Sequence, residues 1–133
     1  MIIDTNILTR VFTGDDSVKA EAGRNFLHRL NAGDLQAVFP ERHIIELVQV
    51  LTSPKLYNRS RDDVAAMLLT LFGISGLRIE SGAVVREALQ LFAEHRSIDF
   101  PDCLTAAEVA ATNDVVLSYD RDFDRLGVRR QEP

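Results

Sequence analysis

Several aspartates in this sequence stand where an apolar run ends. Asp4 follows the apolar residues 1–3, and Asp120 follows the run VVLSY at 115–119, inside the stretch LSYDRDFDRL. If the two runs are neighbouring strands of a parallel sheet, their carboxyl ends share an edge, and ligands of such sheets bind at that edge. Asp102 falls in the first turn of a predicted helix, where the helix dipole favours negative charge. The spacing therefore predicts a group of carboxylates.

Each of these acids also has a purely structural interpretation. Asp4 is placed to cap the helix that follows it, a role in which Asp is common. The helix dipole alone would stabilise Asp102. Asp99, three residues earlier, suits a turn in which its side chain bonds the backbone, and for Asp99 this structural interpretation is favoured. The acids at 120–124 form a solvated turn by default, in which Asp120 is distinguished by following the apolar run directly.

The apolar periodicity around Glu46 does not mark this residue as a candidate for the site. The predicted helix 41–53 carries an apolar stripe, and Glu46 lies opposite that stripe, beside Arg42. The stripe consists of Ile44, Leu47, Val48 and Leu51. An exposed pair with Arg42, four residues earlier, would contribute only about 0.2–0.5 kcal/mol. Periodicity thus predicts a solvated side chain.

Strands alternate with helices along the chain. The apolar spacing predicts strands at 1–3, 35–39, 77–80 and 115–119 and an edge strand at 128–130. It predicts helices at 5–12, 17–30, 41–53, 60–72, 81–92 and 101–112, and a helical turn at 121–126. Ser17 and Ser60 are the predicted N-caps of two of these helices, and Ser60 with Asp63 is typical of a capping box. Such alternation, with nearly continuous apolar strands, predicts a parallel sheet covered on both faces. With 133 residues, of which 46% are apolar, the chain is long enough to form one domain with its own core.

The charge balance limits the modes of nucleic-acid binding. A net charge of -5 argues against a broad basic surface. Of the 15 basic residues only Lys19 and Lys55 are lysines, and arginine is the better planar donor to phosphate. The composition therefore permits a nucleic-acid substrate without requiring one.

Cysteine and histidine offer no zinc site. Cys103 is the only cysteine and is predicted to be a small buried packing residue. The three histidines, His28, His43 and His95, lack paired metal-ligand spacing and are predicted to be surface residues. With no long apolar stretch and no pattern typical of a signal peptide, the sequence predicts a cytosolic protein without a membrane partner.

Four stretches taken together resemble a known family. MIIDTNI, PERHIIELVQVL, DFPDCLTAAEVAA and LSYDRDFDRL, in this order and spacing, resemble the PIN-domain ribonucleases, especially the VapC-type toxins of bacterial toxin–antitoxin pairs. The resemblance covers nearly the whole chain. It implies a single PIN domain over 1–133, of α/β class, with a three-layer α/β/α sandwich around a central, mainly parallel sheet. It also implies a metal-dependent endoribonuclease.

The resemblance further implies a set of site residues. By position these are the acids Asp4, Glu46, Asp102 and Asp120, supported by Asn6, Ser118 and Asp122. Asp4 and Asp102 are the expected principal metal ligands, and oxygen-only ligands favour Mg²⁺ or Mn²⁺. Ser118 stands where many relatives have threonine, and this difference retains the hydroxyl group. Asp122 falls in the same stretch as Asp120, so the identity of the fourth acid stays open.

The resemblance implies partners as well, and other functions compete with it. The implied partners are an RNA substrate, a cognate antitoxin and a second copy of the chain, with toxin–antitoxin hetero-oligomers as a further form. One alternative is a catalytically inactive PIN-like module that binds RNA or protein, against which the presence of all four matching acids argues. Another is a phosphoacceptor domain. Domains of that class have either a second Asp at the position of Asn6 or a lysine towards the end of the chain. Here the position holds Asn, and no lysine follows Lys55.

Overall fold

Short parallel strands and longer helices alternate along the chain. The computed structural model describes all 133 residues, which form two compact units, Met1–Gly82 and Ala83–Pro133. The helices are α1 Thr5–Thr13, α2 Ser17–Asn31, α3 Glu41–Thr52, α4 Arg61–Thr70, α5 Gly82–Glu94, α6 Phe100–Thr112 and α7 Asp122–Arg125; the strands are β1 Ala37–Phe39, β2 Leu77–Ile79, β3 Val116–Leu117 and β4 Arg130–Gln131. These bounds agree with the predicted elements to within a few residues.

Helix ends in the first unit follow from local side-chain chemistry. Gly14 ends α1 in the left-handed conformation, with φ of 66°, which glycine adopts without steric cost. Asp16 caps α2 by accepting a hydrogen bond from the Lys19 amide, one residue before the predicted cap Ser17. Ser60 caps α4 by accepting from the amide of Asp63, which confirms the capping interaction predicted there.

Parallel pairing organises the first unit. β1 pairs with β2 in the register Val38↔Arg78, and a parallel bridge joins Ile2 to Val38. The prediction of a buried strand at 1–3 is correct in its pairing but wrong in its extent and burial. Only Ile3 is buried. Ile2 is 64% exposed because successive side chains of an extended segment point to opposite faces, and Met1, the first residue, is 65% exposed.

The core of the first unit lies between its helices and β1. Helix α1 packs against α2 and α3, and α3 packs against α4. The predicted stripe of α3 is confirmed, since Ile44, Leu47, Val48 and Leu51 are all buried. This burial fixes the rotation of α3 about its axis and thereby leaves Glu46 on the opposite, exposed side.

In the second unit, β3 pairs in parallel with β4, with Val116 opposite Arg130. The prediction that 115–119 is a buried strand is wrong beyond Val116, because Leu117 and Tyr119 are 66% and 72% exposed. An apolar run alone does not reveal that its sheet is only two strands wide. The prediction for Cys103 is confirmed, since it is fully buried within α6.

The predicted α/β class with parallel strands is confirmed, although the sheets are small. No helix combines the length and the apolar character that crossing a membrane requires. The cytosolic location and the single domain stay predictions.

At Gly76 the main chain lies close to the main chain of Leu30 and Leu35, and a substitution there tests the packing of the first unit. A Cβ at this position would collide with the carbonyl oxygens of Leu30 and Leu35, which cannot move as a side chain can. We expect Gly76→Ala to lower the free energy of unfolding by about 1–3 kcal/mol. Gly73→Ala is the matched control, since nothing lies within 4 Å of its added Cβ. Urea titration measures both, and equal stability of the two variants would contradict the packing described.

Candidate functional site

The carboxylate of Asp4 does not perform the capping role that its position offers. Asp4 is the N-cap residue of α1, yet its side chain makes no cap hydrogen bond, and the Ile7 amide bonds to its main-chain carbonyl oxygen instead. The side chain is 58% exposed. The Asp4 side chain therefore does not fill the capping role, and its carboxylate makes no hydrogen bond to the amides of α1.

Asp4 and Glu46 converge on one imidazole nitrogen. Nδ1 of His43 lies 3.7 Å from Oδ1 of Asp4 and 3.5 Å from Oε2 of Glu46. The buried Thr5 hydroxyl donates a hydrogen bond of 2.7 Å to the same Glu46 oxygen. No ion pair joins Glu46 to Arg42, so the surface role that the pattern predicted is replaced by contacts with residues of α1 and α3. The structure thus brings together two of the four predicted acids.

A groove opens beside Asp4 in the first unit. Its volume is about 640 Å³, and it is lined by Ile2, Ile3, Asp4, Asn6, Ile7, Arg10, Lys19, Ala22, Gly23 and Phe26. Asn6, predicted as a supporting residue, therefore shares this surface with Asp4. The walls are mainly apolar, and two cations, Arg10 and Lys19, lie among them.

Asp102 is the centre of negative charge in the second unit. Burial raises the pKa of its carboxyl group, and the neighbouring charges of Asp99, Asp120 and Asp122 raise it further. Asp99 is the N-cap residue of α6, and its carboxylate accepts a 2.9 Å hydrogen bond from the Asp102 amide. The structural interpretation favoured for Asp99 is thus confirmed. The surroundings therefore disfavour the charged form of Asp102, and a bound cation would stabilise that form.

Asp120 and Asp122 differ in what neutralises them. The Ser118 hydroxyl accepts from the Asp120 amide at 3.0 Å, and the Asp120 carboxylate accepts from the Asp122 amide at 2.9 Å. The Asp122 carboxylate instead pairs with the Arg125 guanidinium at 2.9 Å. A carboxylate already neutralised by arginine is a poorer ligand for a metal than one that receives only a main-chain amide. This difference favours Asp120 as the fourth acid.

The side-chain oxygens of the four candidate acids suit a hard divalent cation. All are oxygen donors, one pair converges in the first unit, and the acids of the second unit raise the pKa of Asp102 by repulsion. No three His, Cys, Asp or Glu side chains are grouped closely enough to hold a metal ion by themselves. Mg²⁺ does not require such a cage, because it usually keeps several waters and binds one or two carboxylates together with substrate phosphate.

Two residues of this arrangement, His43 and Thr5, are not among the predicted site residues. The prediction that His43 lies on the surface is wrong, since its side chain is only 17% exposed and faces both acids. Thr5 was not singled out, although it is buried and contacts Glu46. The available signal was the spacing of three residues between His43 and Glu46, which places both on one side of a helix.

The chain is similar to a known protein family over nearly its whole length. The profile of the PIN domain matches residues 1–129 and so extends over both units. The VapC ribonuclease of Aquifex aeolicus (strain VF5) is 27% identical to this chain over 133 residues, which are 99% of this chain and 96% of that protein.

Comparison of two N-cap aspartates, Asp4 and Asp99, tests whether Asp4 is there for stability. Asp99→Ala removes a side-chain cap and should lower the free energy of unfolding by about 1 kcal/mol. Asp4→Ala removes no cap bond and relieves repulsion with Glu46, so we expect no loss of stability. Chemical denaturation of the two variants measures the difference. A loss for Asp4→Ala as large as that for Asp99→Ala would show that Asp4 is mainly structural.

Proposed function

We propose that this chain, which belongs to the PIN-domain family, is a metal-dependent endoribonuclease and the toxin of a toxin–antitoxin pair. The observation that carries the proposal is the Asp4 carboxylate, which leaves its own helix uncapped and converges with Glu46 on His43. The similarity to a VapC ribonuclease over nearly the whole of both chains supports RNA as the substrate.

The proposed catalytic acids are Asp4, Glu46, Asp102 and Asp120, with Asn6, Ser118 and Asp122 in support. Asp4 and Asp102 are proposed to hold Mg²⁺ or Mn²⁺. Because these two acids come from different units, the proposal includes a single PIN domain formed by both, which the match of one family profile to residues 1–129 supports.

The roles of the remaining acids follow from the hydrogen bonds they already make. A bound divalent cation would polarise the scissile phosphate and acidify water. Glu46 Oε2 is bonded by Thr5, so Oε1 is the oxygen left to orient water and to accept its proton. The Asp120 carboxylate accepts from the Asp122 amide, which orients it, and the Ser118 hydroxyl accepts from the Asp120 amide. Cys103 is fully buried and cannot attack the substrate, which supports water as the nucleophile.

The groove beside Asp4 supports the proposed antitoxin. Its apolar walls suit an apolar segment, and the exposed side chains of Ile2 and Ile7 extend the apolar surface. Such a segment would cover Asp4 and Asn6, which line the same groove, and so block access to the proposed site. A homodimer, and hetero-oligomers with the antitoxin, complete the proposal; they rest on the family resemblance.

Cleavage of a mixed cellular RNA pool tests the proposed activity. We expect the purified, antitoxin-free chain to cut RNA with Mg²⁺ or Mn²⁺ and to lose the activity with EDTA. Asp4→Asn should reduce the rate by at least about 100-fold, since a metal ligand is lost while the size of the side chain is kept. Cleavage by Asp4→Asn at the wild-type rate would contradict the assignment. A folded protein that neither cuts RNA nor binds metal would favour the inactive binding module.

The identity of the fourth acid has its own test. Asp120→Asn should reduce cleavage by about 10-fold or more, because it removes a charge from the proposed site. Asp122→Asn removes a carboxylate that Arg125 neutralises and should change the rate by less than about threefold. Single-turnover rates of the two variants compare them directly. The reverse order of the two effects would assign the role to Asp122.

A further inference from the structure

We propose that His43 is a positioning residue, which holds Glu46 through a chain of two hydrogen bonds and presents the same ring nitrogen to Asp4. In this chain, Nδ1–H of His43 donates to the Thr5 hydroxyl, and the hydroxyl donates to Glu46. His43 is not among the site residues that the family resemblance implies. The effect on metal binding rests on the proposed function, whereas the hydrogen-bond chain itself does not.

The single proton of the Thr5 hydroxyl determines the direction of the chain. Oγ1 of Thr5 lies 2.7 Å from Glu46 Oε2, 3.2 Å from His43 Nδ1 and 3.3 Å from the His43 carbonyl oxygen. The shortest of these contacts is to a carboxylate, and bonds to charged acceptors are the strongest, so the proton points to Glu46. The lone pairs of Oγ1 are then left to accept a proton from Nδ1. This assigns the imidazole proton to Nδ1, and the two bonds polarise each other.

The same nitrogen reduces the repulsion between the two acids. Nδ1 faces Asp4 Oδ1 at 3.7 Å and Glu46 Oε2 at 3.5 Å, so an N–H there presents its positive end to both carboxylates. Without it, two carboxylates would face each other with only the Thr5 hydroxyl nearby. Glu46 is 56% exposed and would then be free to turn towards solvent.

Packing holds the ring in this orientation. The imidazole stacks on Phe39 with ring centroids 6.4 Å apart and planes inclined by 11°, and only 17% of the His43 side chain is exposed. Tilting the ring out of this plane would lose the contact, and the 3.2 Å approach to Thr5 determines which edge of the ring carries Nδ1. The stack therefore separates two contributions of His43: the ring plane packs, and Nδ1 positions the acids.

Variants that keep one contribution and remove the other test the proposal. His43→Phe retains the ring and its stack but has no nitrogen, while the Asn side-chain amide in His43→Asn restores a donor near the position of Nδ1. His28→Phe, on an exposed site of α2, is the matched control. With the full chain and Mn²⁺ as the probe, we expect affinity to fall about 10-fold in His43→Phe, as for other residues that orient metal ligands. It should recover in His43→Asn and stay unchanged in His28→Phe.

A spectroscopic readout is independent of metal and RNA. Long-range ¹H–¹⁵N spectra of the wild-type chain at alkaline pH should show the Nδ1–H tautomer of His43. A dominant Nε2–H tautomer would overturn the proposal, and so would wild-type Mn²⁺ affinity in a folded His43→Phe variant. If the wild type binds no Mn²⁺ and cuts no RNA but shows the Nδ1–H tautomer, the proposed function fails while the hydrogen-bond chain stands.

Discussion

The parallel pairing of the first three residues with β1 determines the site in the first unit. The Ile3 amide donates to the Val38 carbonyl, and the Val38 amide donates to that of Met1, each at 2.9 Å. Because the pairing is parallel, α1 and α3, which follow these segments directly, begin at the same edge. A shift of one residue would exchange the faces of the segment and direct Asp4 into the core in place of Ile3. The two hydrogen bonds thus fix which side chain faces Glu46.

The protein gathers like charges and offsets their repulsion locally. In the first unit, the Thr5 hydroxyl and the His43 ring lie against the two carboxylates. In the second unit, Arg125 pairs with Asp122, but Asp102 stays in surroundings that raise its pKa. An arrangement that only maximised stability would not place acids in this way, since neutral or paired side chains cost less in a partly buried position. A cation bound as proposed would relieve the repulsion.

Much of the fold could be predicted from the sequence, because its signals are local. The stripe of α3, the cap at Ser60 and the alternation of strands with helices all arise from neighbouring residues and are confirmed. The burial of 1–3 and 115–119 could not be predicted, since it depends on how many strands each sheet contains. The family resemblance, carried by four stretches, is confirmed by the PIN-domain match. The resemblance identified Glu46 as a candidate site residue, although the apolar pattern alone predicts a solvated side chain. The position of His43 beside both acids depends on the contacts between α1 and α3, which the sequence does not reveal.

The measurement that tests the central claim most directly is the anomalous scattering of Mn²⁺ in crystals of the antitoxin-free chain. We predict bound Mn²⁺ with carboxylate oxygens of both Asp4 and Asp102 among its ligands or one water away. Absence of Mn²⁺ at saturating concentration, or Mn²⁺ bound only by acids outside the proposed set, would contradict it.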